Sequence, residues 1–338
     1  MTFGAQALKC LSLTDLATTR GEKQVILAGI DEAGYGPRLG PLVVAGSALR
    51  TARESADASH WPVSRFLRHG AAVTVADSKK VYSRSRGLSG LEKAVFAFVG
   101  APDKMPVTLA DFLTRYAAEG ALEAQKLPWY SCGDCILPRE ISTEGLATLQ
   151  QATAVELSSG GLSHVWSAFC VVDENRYNDL LLRTGNKAMI LFGRAAILMR
   201  RLWDEYAGEG VYLTVDRQGG RKFYAGLLDM VFPDAAIGIF RETENESAYV
   251  LTGRDGRGMH VRFVVRAEES DSCVALSSMW AKYVREIFMH MLNEYWTSRA
   301  AEVRPTAGYW EDAERFIADL RSACVMSDAE AERIVRWK

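Results

Sequence analysis

The chain has 338 residues, a length that fits one large domain or two ordinary ones and needs no disulfide or metal to fold. Its composition, 48% hydrophobic, 24% charged and 10% aromatic, excludes a disordered chain, a fibrous repeat and a small disulfide scaffold. The formal net charge of −2 excludes nucleic-acid binding by bulk charge alone, because such proteins are usually strongly basic. A nucleic-acid role would have to rest on local basic patches or bound cations.

The sequence gives no sign of a membrane-spanning or secreted protein. No stretch approaches the roughly 20 apolar residues of a membrane-spanning helix, and the N-terminus lacks a basic stretch followed by a long apolar run. We therefore expect a soluble cytoplasmic protein. Among the six cysteines, Cys132 and Cys135 have the spacing of a ligand pair, but no second Cys or His pair accompanies them. A loop with two incidental thiols is favoured over metal or redox chemistry.

The first predicted elements are two strands. The apolar run Val25–Ile30 is typical of a strand buried on both faces, and a glycine-rich turn joins it to a second strand over Pro41–Leu49. No helix lies between them, so we expect an antiparallel pair. Apolar spacing then predicts a helix over 88–99 with Ser89 as its N-cap. Residues 101–163 hold several prolines, and we interpret them as an insertion with two helical pieces.

The second half of the chain mixes strands and helices. Strands are predicted over Val165–Val172 and Val211–Val215, with short strands over 237–265, and helices over Lys187–Tyr206, Ser272–Trp296, 311–322 and 327–336. This mixture predicts an α/β fold built around one mixed sheet.

Carboxylates follow three of the predicted strands. Asp31 and Glu32 come after the first strand, Asp216 after the strand that ends at Val215, and Glu268–Glu269 after the last strand. Strand ends can gather side chains from distant positions into one site. Clustered carboxylates repel one another unless protons or cations neutralise them, and Mg²⁺ or Mn²⁺ prefers such oxygen ligands. The pattern predicts a divalent-metal site; the alternative is that acidic residues simply terminate the strands.

The first two carboxylates are neighbours in the sequence, which limits how they can share a site. Neighbours on a strand point to opposite faces, so Asp31 and Glu32 can share a site only if the strand ends or bulges there. Gly34 and Gly36 make such a break easy. The loop Gly34–Gly40 is not a dinucleotide fingerprint, because a strand follows it instead of a helix N-terminus. We expect its glycines to let backbone amides approach a phosphate or a sugar.

These residues also carry a resemblance. The segment Gly29–Gly46, GIDEAGYGPRLGPLVVAG, resembles the signature of the type 2 ribonuclease H family. Further segments resemble family motifs, occur in the family's order and together span 25–320: Asp77–Lys80 (DSKK), Asn186–Leu202 ahead of YLTVD, Ala275–Glu286, and Gly308–Tyr309.

The resemblance implies a ribonuclease H-like mixed β-sheet flanked by helices, with C-terminal helices. Somewhat more than half of the chain would belong to the shared core. We expect an N-terminal arm over 1–24 and one domain over 25–338, with insertions at about 101–163 and 235–260.

The implied activity is endonucleolytic hydrolysis of the RNA strand of an RNA/DNA hybrid, or of a ribonucleotide-containing duplex, by a two-metal mechanism with Mg²⁺ or Mn²⁺. The resemblance assigns metal binding and catalysis to Asp31, Glu32 and Asp216. The family's fourth position falls at Glu268, because Arg-Ala-Glu is the counterpart of the family's Lys-Ala-Asp; Asp271 is the alternative.

Other matched positions would bind the substrate: Gly34, Tyr35, Gly36, Ser78, Lys79 and Tyr309. Ser78 and Lys79 would contact phosphate, and Tyr309 would stack on a sugar or base. The stretch Lys79–Arg86 is the most basic patch. Arg217 and Arg221–Lys222 flank Asp216 and are further candidates for phosphate contacts.

One departure from the family motif leaves the specificity open. The family's Gly-Arg-Gly, whose Arg helps hold phosphate, is here Gly34-Tyr35-Gly36, and Tyr35 brings no charge, though it can stack or donate one hydrogen bond. This change motivates an alternative from another class: a catalytically silent or altered-specificity nucleic-acid-binding module on the same fold. A third hypothesis is that the insertion binds a protein partner, with Cys132 and Cys135 at an exposed loop tip.

Overall fold

A computed structural model describes residues 24–51, 73–99, 105–131 and 135–337 of the chain. The predicted N-terminal arm over 1–24 lies almost entirely outside these residues, and so does Cys132. None of the described helices is both long and apolar enough to cross a membrane.

The described strands form one mixed sheet. They are β1 (Val25–Ala33), β2 (Leu42–Thr51), β3 (Ala117–Glu119), β4 (Leu162–Val172), β5 (Val211–Asp216), β6 (Ala235–Glu242), β7 (Glu246–Gly253) and β8 (Gly258–Val264). Their order in the sheet is β3-β4-β2-β1-β5-β8-β7-β6. The predicted α/β class with a mixed sheet is confirmed.

Helices cover the sheet on both faces. They are α1 (Ser78–Val81), α2 (Ser89–Phe96), α3 (Leu109–Tyr116), α4 (Ala121–Ala124), α5 (Leu146–Ser159), α6 (Glu174–Thr184), α7 (Lys187–Tyr206), α8 (Ala225–Val231), α9 (Ser272–Thr297), α10 (Trp310–Ser322) and α11 (Asp328–Ile334). The prediction for α7 matches its observed bounds, whereas the sequence did not predict α6 or α8.

The centre of the sheet directs three strand ends to one edge. Strand β1 pairs antiparallel with β2, as predicted, and parallel with β5 on its other side. Strand β5 in turn pairs parallel with β8. Because parallel strands end at the same edge, β1, β5 and β8 all deliver their carboxyl ends there.

Alternate residues of the central strands supply two hydrophobic cores. Along β1, Val25 and Leu27 join the core under α9, whereas Ile26 and Ala28 join the core under α7. This is the period-2 alternation of a strand covered on both faces, and it explains the continuous apolar run in the sequence.

Helix α9 packs very closely on β1. A Cβ atom at Gly29 would lie 2.3 Å from the backbone of Cys273, so only glycine allows this approach. The Ser277 hydroxyl donates to the carbonyl oxygen of Gly29 at 2.9 Å. This contact fixes the first turns of α9 beside the end of β1.

The region 101–163 contributes to the core of the domain. Its strand β3 pairs with β4 at one end of the sheet, and Phe112, Trp129 and Tyr130 are buried in the core under α9. Its described residues form three α-helices, where two helical pieces were expected. Cys135 is buried and its Sγ accepts a hydrogen bond from Arg139 at 3.2 Å, so the expectation of an exposed tip is wrong for this cysteine.

The predicted N-cap of α2 is also corrected. Ser89 is the first residue of the helix, and Leu88 occupies the cap position without a side-chain cap. The Glu140 carboxylate accepts from the amides of Leu88 and Ser89 at 2.5 and 2.9 Å. A carboxylate from the 101–163 region therefore replaces the local serine cap, which a local sequence pattern cannot reveal.

Candidate active site

Three of the predicted carboxylates come together at the shared edge of the sheet. Asp31, Glu32 and Asp216 each offer an oxygen, and these oxygens lie within 4.8 Å of one another. The register explains this convergence, because Ile30 is the last β1 residue paired with β5, opposite Val215. Asp31 and Asp216 are the residues that follow this pair.

Asp31 and Glu32 share the site without a break in their strand. The expected end or bulge is absent, since β1 stays in register with β2 through Ala33. Instead, pairing between β1 and β5 stops at Ile30, which frees that edge of β1. The Asp31 side chain bends along the strand, and its Oδ1 accepts from the Glu32 amide at 2.7 Å. Both carboxylates therefore reach the freed edge.

Glu268 belongs to the same cluster. It lies in the 3₁₀ turn Ala267–Glu269 that follows β8, and the Ala267 amide donates to Asp216 Oδ1 at 2.8 Å. The charge of Glu268 raises the pKa values of Asp31, Glu32 and Asp216. Its own Oε2 is buried and has no hydrogen-bond partner among the described residues. A buried carboxylate oxygen without a donor is what a cation ligand looks like before the cation binds.

Asp271, the alternative fourth carboxylate, has a different set of contacts. It is the N-cap of α9, where its Oδ1 accepts from the amides of Cys273 and Val274 at 2.9 and 3.4 Å. Its Oδ2 accepts from the Thr214 hydroxyl at 3.0 Å and from Arg262 at 3.4 Å. Protein donors thus engage both oxygens of Asp271, and the geometry favours Glu268 as the fourth member of the cluster.

The buried, mutually repelling carboxylates of the cluster would be stabilised by bound cations. Burial, followed by repulsion from the neighbouring carboxylates, raises the pKa of Asp31 well above its usual range and that of Glu32 to about 8. Burial and the charge of Glu268 raise the pKa of Asp216 to about 7. Lys79 opposes the shifts of Glu32 and Asp216 without cancelling them. The donor set is all oxygen and carries excess negative charge, so it fits hard divalent cations.

The glycine turn borders the cluster. Gly34 has φ +87°, and a Cβ atom there would lie 2.5 Å from the carbonyl oxygen of Pro41. Gly36 has no atom within 4 Å of the position a Cβ would take. Within the described part of the chain, the amides of Tyr35 and Gly36 have no acceptor. The turn therefore presents free donors beside an open space.

The other predicted substrate residues differ in their surroundings. Ser78 is buried, with its Oγ 2.9 Å from Ser278 Oγ, so its hydroxyl joins α1 to α9. Lys79 is exposed next to the carboxylates. Tyr309 is exposed, and Gly308 before it accepts from the amides of the glycine turn. The structure thus places Lys79 beside the carboxylates and Tyr309 directly after a residue that contacts the turn, while their contacts with a substrate stay a prediction.

Two cations flank Tyr35. Lys187 Nζ lies 5.2 Å from the centre of the Tyr35 ring, and Arg221 is close enough to lower the pKa of the Tyr35 hydroxyl, which burial raises. Arg221 Nη2 contacts Met189 Sδ at 3.5 Å, so both cations meet the first turn of α7. Sequence reasoning missed Lys187, because nothing local in the sequence shows that the start of α7 lies beside the glycine turn.

Other basic candidates have partners within the protein. Arg217 donates to the carbonyl oxygens of Glu244 and Thr243, and Lys222 forms an ion pair with Glu244. These contacts hold the turn between β6 and β7. Of the three basic residues after Asp216, Arg221 is the one next to Tyr35.

Comparisons with known proteins can now be set beside this geometry. No protein-family model matches the chain, and no curated protein matches its sequence. Three solved structures that it resembles are as follows. A chain of the PCNA:RNase HII complex from Archaeoglobus fulgidus has 15% identity and a TM-score of 0.41, over 93% of this chain and 95% of that chain. Bst-RNase HIII in complex with Mn²⁺ has 15% identity and a TM-score of 0.36, over 94% of this chain and 66% of that chain. The ribonuclease H2 from Pyrococcus horikoshii OT3 has 12% identity and a TM-score of 0.39, over 93% of this chain and 94% of that chain.

Proposed function

We propose that the protein is a divalent-metal-dependent endonuclease that hydrolyses the RNA strand of RNA/DNA hybrids. The observation that carries this proposal is the carboxylate cluster itself. Asp31, Glu32 and Asp216 converge at one sheet edge with raised pKa values, and the Oε2 atom of Glu268 is buried there without a donor. Among the described residues, two backbone amides and the nearby Lys79 oppose this charge only in part, and a pair of cations would neutralise it.

The four carboxylates would hold Mg²⁺ or Mn²⁺. When bound, these cations supply the positive charge that stabilises a phosphodiester during its hydrolysis. The chain's own contribution is to fix the four ligands on the ends of β1 and β5 and on the turn after β8, so that little reorganisation accompanies the reaction. The products would carry 5′-phosphate and 3′-hydroxyl ends.

Residues around the cluster would position the nucleic acid. The free amides of Tyr35 and Gly36 would donate to a ribose hydroxyl or phosphate oxygen in the open space at Gly36. Lys79 would contact a phosphate near the carboxylates, and Tyr309 would stack on a sugar or base. Lys187 and Arg221 would supply beside the turn the positive charge that Tyr35 lacks.

A cleavage assay tests the proposal. The substrates are a continuous RNA/DNA hybrid and a duplex with a single ribonucleotide, each in Mg²⁺ and in Mn²⁺. We expect metal-dependent cleavage of the RNA strand by the wild-type protein and a loss of about 1,000-fold or more in Asp31→Asn. The exposed neighbour of the cluster provides the matched control, Glu269→Gln, which should cleave like the wild type.

The outcomes separate the two leading hypotheses. If the wild-type protein cleaves neither substrate with either ion, the enzymatic proposal is wrong. Salt-sensitive hybrid binding without a divalent ion and without cleavage would then support the silent binding module. A preference between the two substrates would show how the turn at Tyr35 reads a ribonucleotide. The cytoplasmic location stays a prediction from the sequence.

A further inference from the structure

The second half of the glycine turn is held by partners from distant parts of the chain. Gly308 accepts from the amides of Arg38 and Leu39 at 2.8 and 3.2 Å. Arg336 contacts the turn twice, since its backbone amide donates to the carbonyl oxygen of Arg38 at 2.8 Å and its guanidinium donates to that of Pro37. Hydrogen bonds to Gly308 and to Arg336 thus both hold the turn in place.

Two buried side chains complete this support. Arg285 Nη2 donates to the carbonyl oxygen of Leu39 at 3.2 Å. The Gly40 amide donates to Glu174 Oε1 at 2.8 Å, and the same oxygen accepts from the Tyr130 hydroxyl at 2.6 Å. Backbone groups at each position from 37 to 40 are therefore engaged from outside the turn, whereas the amides of residues 35 and 36 have no acceptor among the described residues.

The Arg336 side chain occupies an unusual environment. It is 2% exposed, and burial lowers its pKa to about 10, so it is still charged at neutral pH. The nearby charge of Arg285 is the second cause of this lowered pKa. Its Nε and Nη1 atoms have no hydrogen-bond partner among the described residues, and its guanidinium lies 4.8 Å from the Tyr177 ring centre. Burying a cation with two unpaired donors costs stability, and such exceptions concentrate at functional sites.

The segment that carries Arg336 is itself fixed. The Asn178 side-chain amide donates to the carbonyl oxygen of Val335 at 2.8 Å, and Asn178 Oδ1 accepts from the Trp337 amide at 2.8 Å. The backbone on both sides of Arg336 is therefore held by Asn178, which fixes the position from which Arg336 contacts the turn.

We propose that Arg336 is a positioning residue: it holds the carbonyl groups of Pro37 and Arg38, so that the amides of Tyr35 and Gly36 face the substrate in one fixed conformation. This inference rests on the proposed nuclease function. Arg336 is buried behind the turn and does not touch the substrate. Its effect should therefore appear in substrate binding through the turn, and not in metal binding by the carboxylates.

The test compares Arg336→Met and Arg336→Lys with a matched control, Arg333→Met. Arg333 is an exposed arginine of the same segment, lies 5.7 Å from the Trp129 ring centre and does not contact the turn. Two measurements are made on the full chain: hydrogen exchange of the bonded backbone amides of residues 38–40, and the KM and kcat for an RNA/DNA hybrid. The Mn²⁺ concentration for half-maximal activity serves as a third readout.

For Arg336→Met we expect amide exchange in the turn to accelerate about tenfold, and KM to rise about tenfold with a smaller change in kcat. The half-saturating Mn²⁺ concentration should stay within about twofold of the wild-type value. Arg336→Lys should give an intermediate result and also covers the case in which Arg336→Met does not fold. Loss of folded protein alone would lower the apparent kcat and leave KM unchanged, so the KM change is specific to positioning.

The proposal is overturned if a folded Arg336 variant shows wild-type exchange of the amides of residues 38–40 and a wild-type KM, or if Arg333→Met changes both quantities equally. Failure of the proposed function looks different, because the wild-type protein would then cleave no hybrid. In that case the exchange measurement alone decides whether Arg336 holds the turn.

Discussion

Two groups of buried carboxylates in this protein differ in how they are neutralised. Glu92 is fully buried and accepts from the amides of Arg139, Glu140 and Ile141 at 2.6, 2.8 and 3.0 Å. Asp271 caps α9 and also contacts a hydroxyl and a guanidinium. The carboxylates at the edge of β1 and β5 instead face one another, with two backbone amides and one nearby lysine to oppose their charge.

The difference distinguishes structural acids from acids kept for a ligand. A carboxylate surrounded by donors stabilises the fold, because its buried charge is compensated within the protein. Carboxylates that raise each other's pKa values destabilise the metal-free fold, and this cost is removed when cations bind. The three predictions below test that division, in order of decreasing effect.

The largest expected contrast is between Glu268 and Asp271, which lie three residues apart. Glu268→Gln should reduce cleavage about 100-fold or more while leaving the free energy of unfolding unchanged or slightly higher. Asp271→Asn should instead lower the free energy of unfolding by about 3 kcal/mol, because it removes the negative charge that Asp271 places beside the buried Arg262 guanidinium. Hybrid cleavage and urea unfolding of both variants measure the contrast. The reverse pattern would make Asp271 the fourth ligand.

The second prediction concerns the pH dependence of the metal-free protein. Since the pKa values of Glu32 and Asp216 are raised to about 8 and about 7, the folded state retains protons that the unfolded chain has released. Stability should therefore be greatest below about pH 4 for these groups and fall as the pH rises through about 8, by roughly 1.4 kcal/mol for each unit of pKa shift.

Thermal unfolding between about pH 5 and about pH 9, in a chelator and in Mg²⁺, measures this dependence. Saturating Mg²⁺ should restore stability at the upper end of the range, with a rise in Tm on the order of 5 °C. The Asp31→Asn variant should show a weaker pH dependence, because one of the repelling charges is absent. A metal-free protein whose stability rises with pH over this range would contradict the assignment of these carboxylates to a ligand site.

The smallest effect is expected from the cations beside Tyr35. In a cleavage-deficient Asp31→Asn background, Lys187→Gln and Arg221→Gln should each weaken hybrid binding a few-fold. Each should also reduce the slope of log affinity against log salt by up to about 0.9 if it removes one phosphate contact. Arg200→Gln is the matched control, since Arg200 is an exposed cation of α7 that pairs with Asp204. An unchanged slope in both test variants would remove these residues from the substrate surface.

Much of the fold could be predicted from local patterns. The apolar run of β1, the bounds of α7 and the antiparallel pairing of β1 with β2 all follow from periodicity or from a short connection, which are properties of neighbouring residues. The structure of the region 101–163 was harder to predict, since β3 has three residues and its place in the sheet depends on pairing with β4. Helix α2 was predicted, but its predicted cap, Ser89, was wrong, because the carboxylate that accepts from its first amides belongs to Glu140 in that same region.

The sequence by itself determined which residues could form the site: acids after apolar strands, a glycine turn and an ordered set of family-like segments. The tertiary structure alone decided how they meet. Pairing of β1 with β5 ends at Ile30, which lets Asp31 and Glu32 share one edge. Asp271 caps α9 and is therefore engaged by protein donors, so that Glu268 is the fourth carboxylate of the cluster. It also placed Lys187 and Arg336 beside the glycine turn. The physical reason is that composition and periodicity act between neighbours, whereas strand register and helix docking join positions that are hundreds of residues apart.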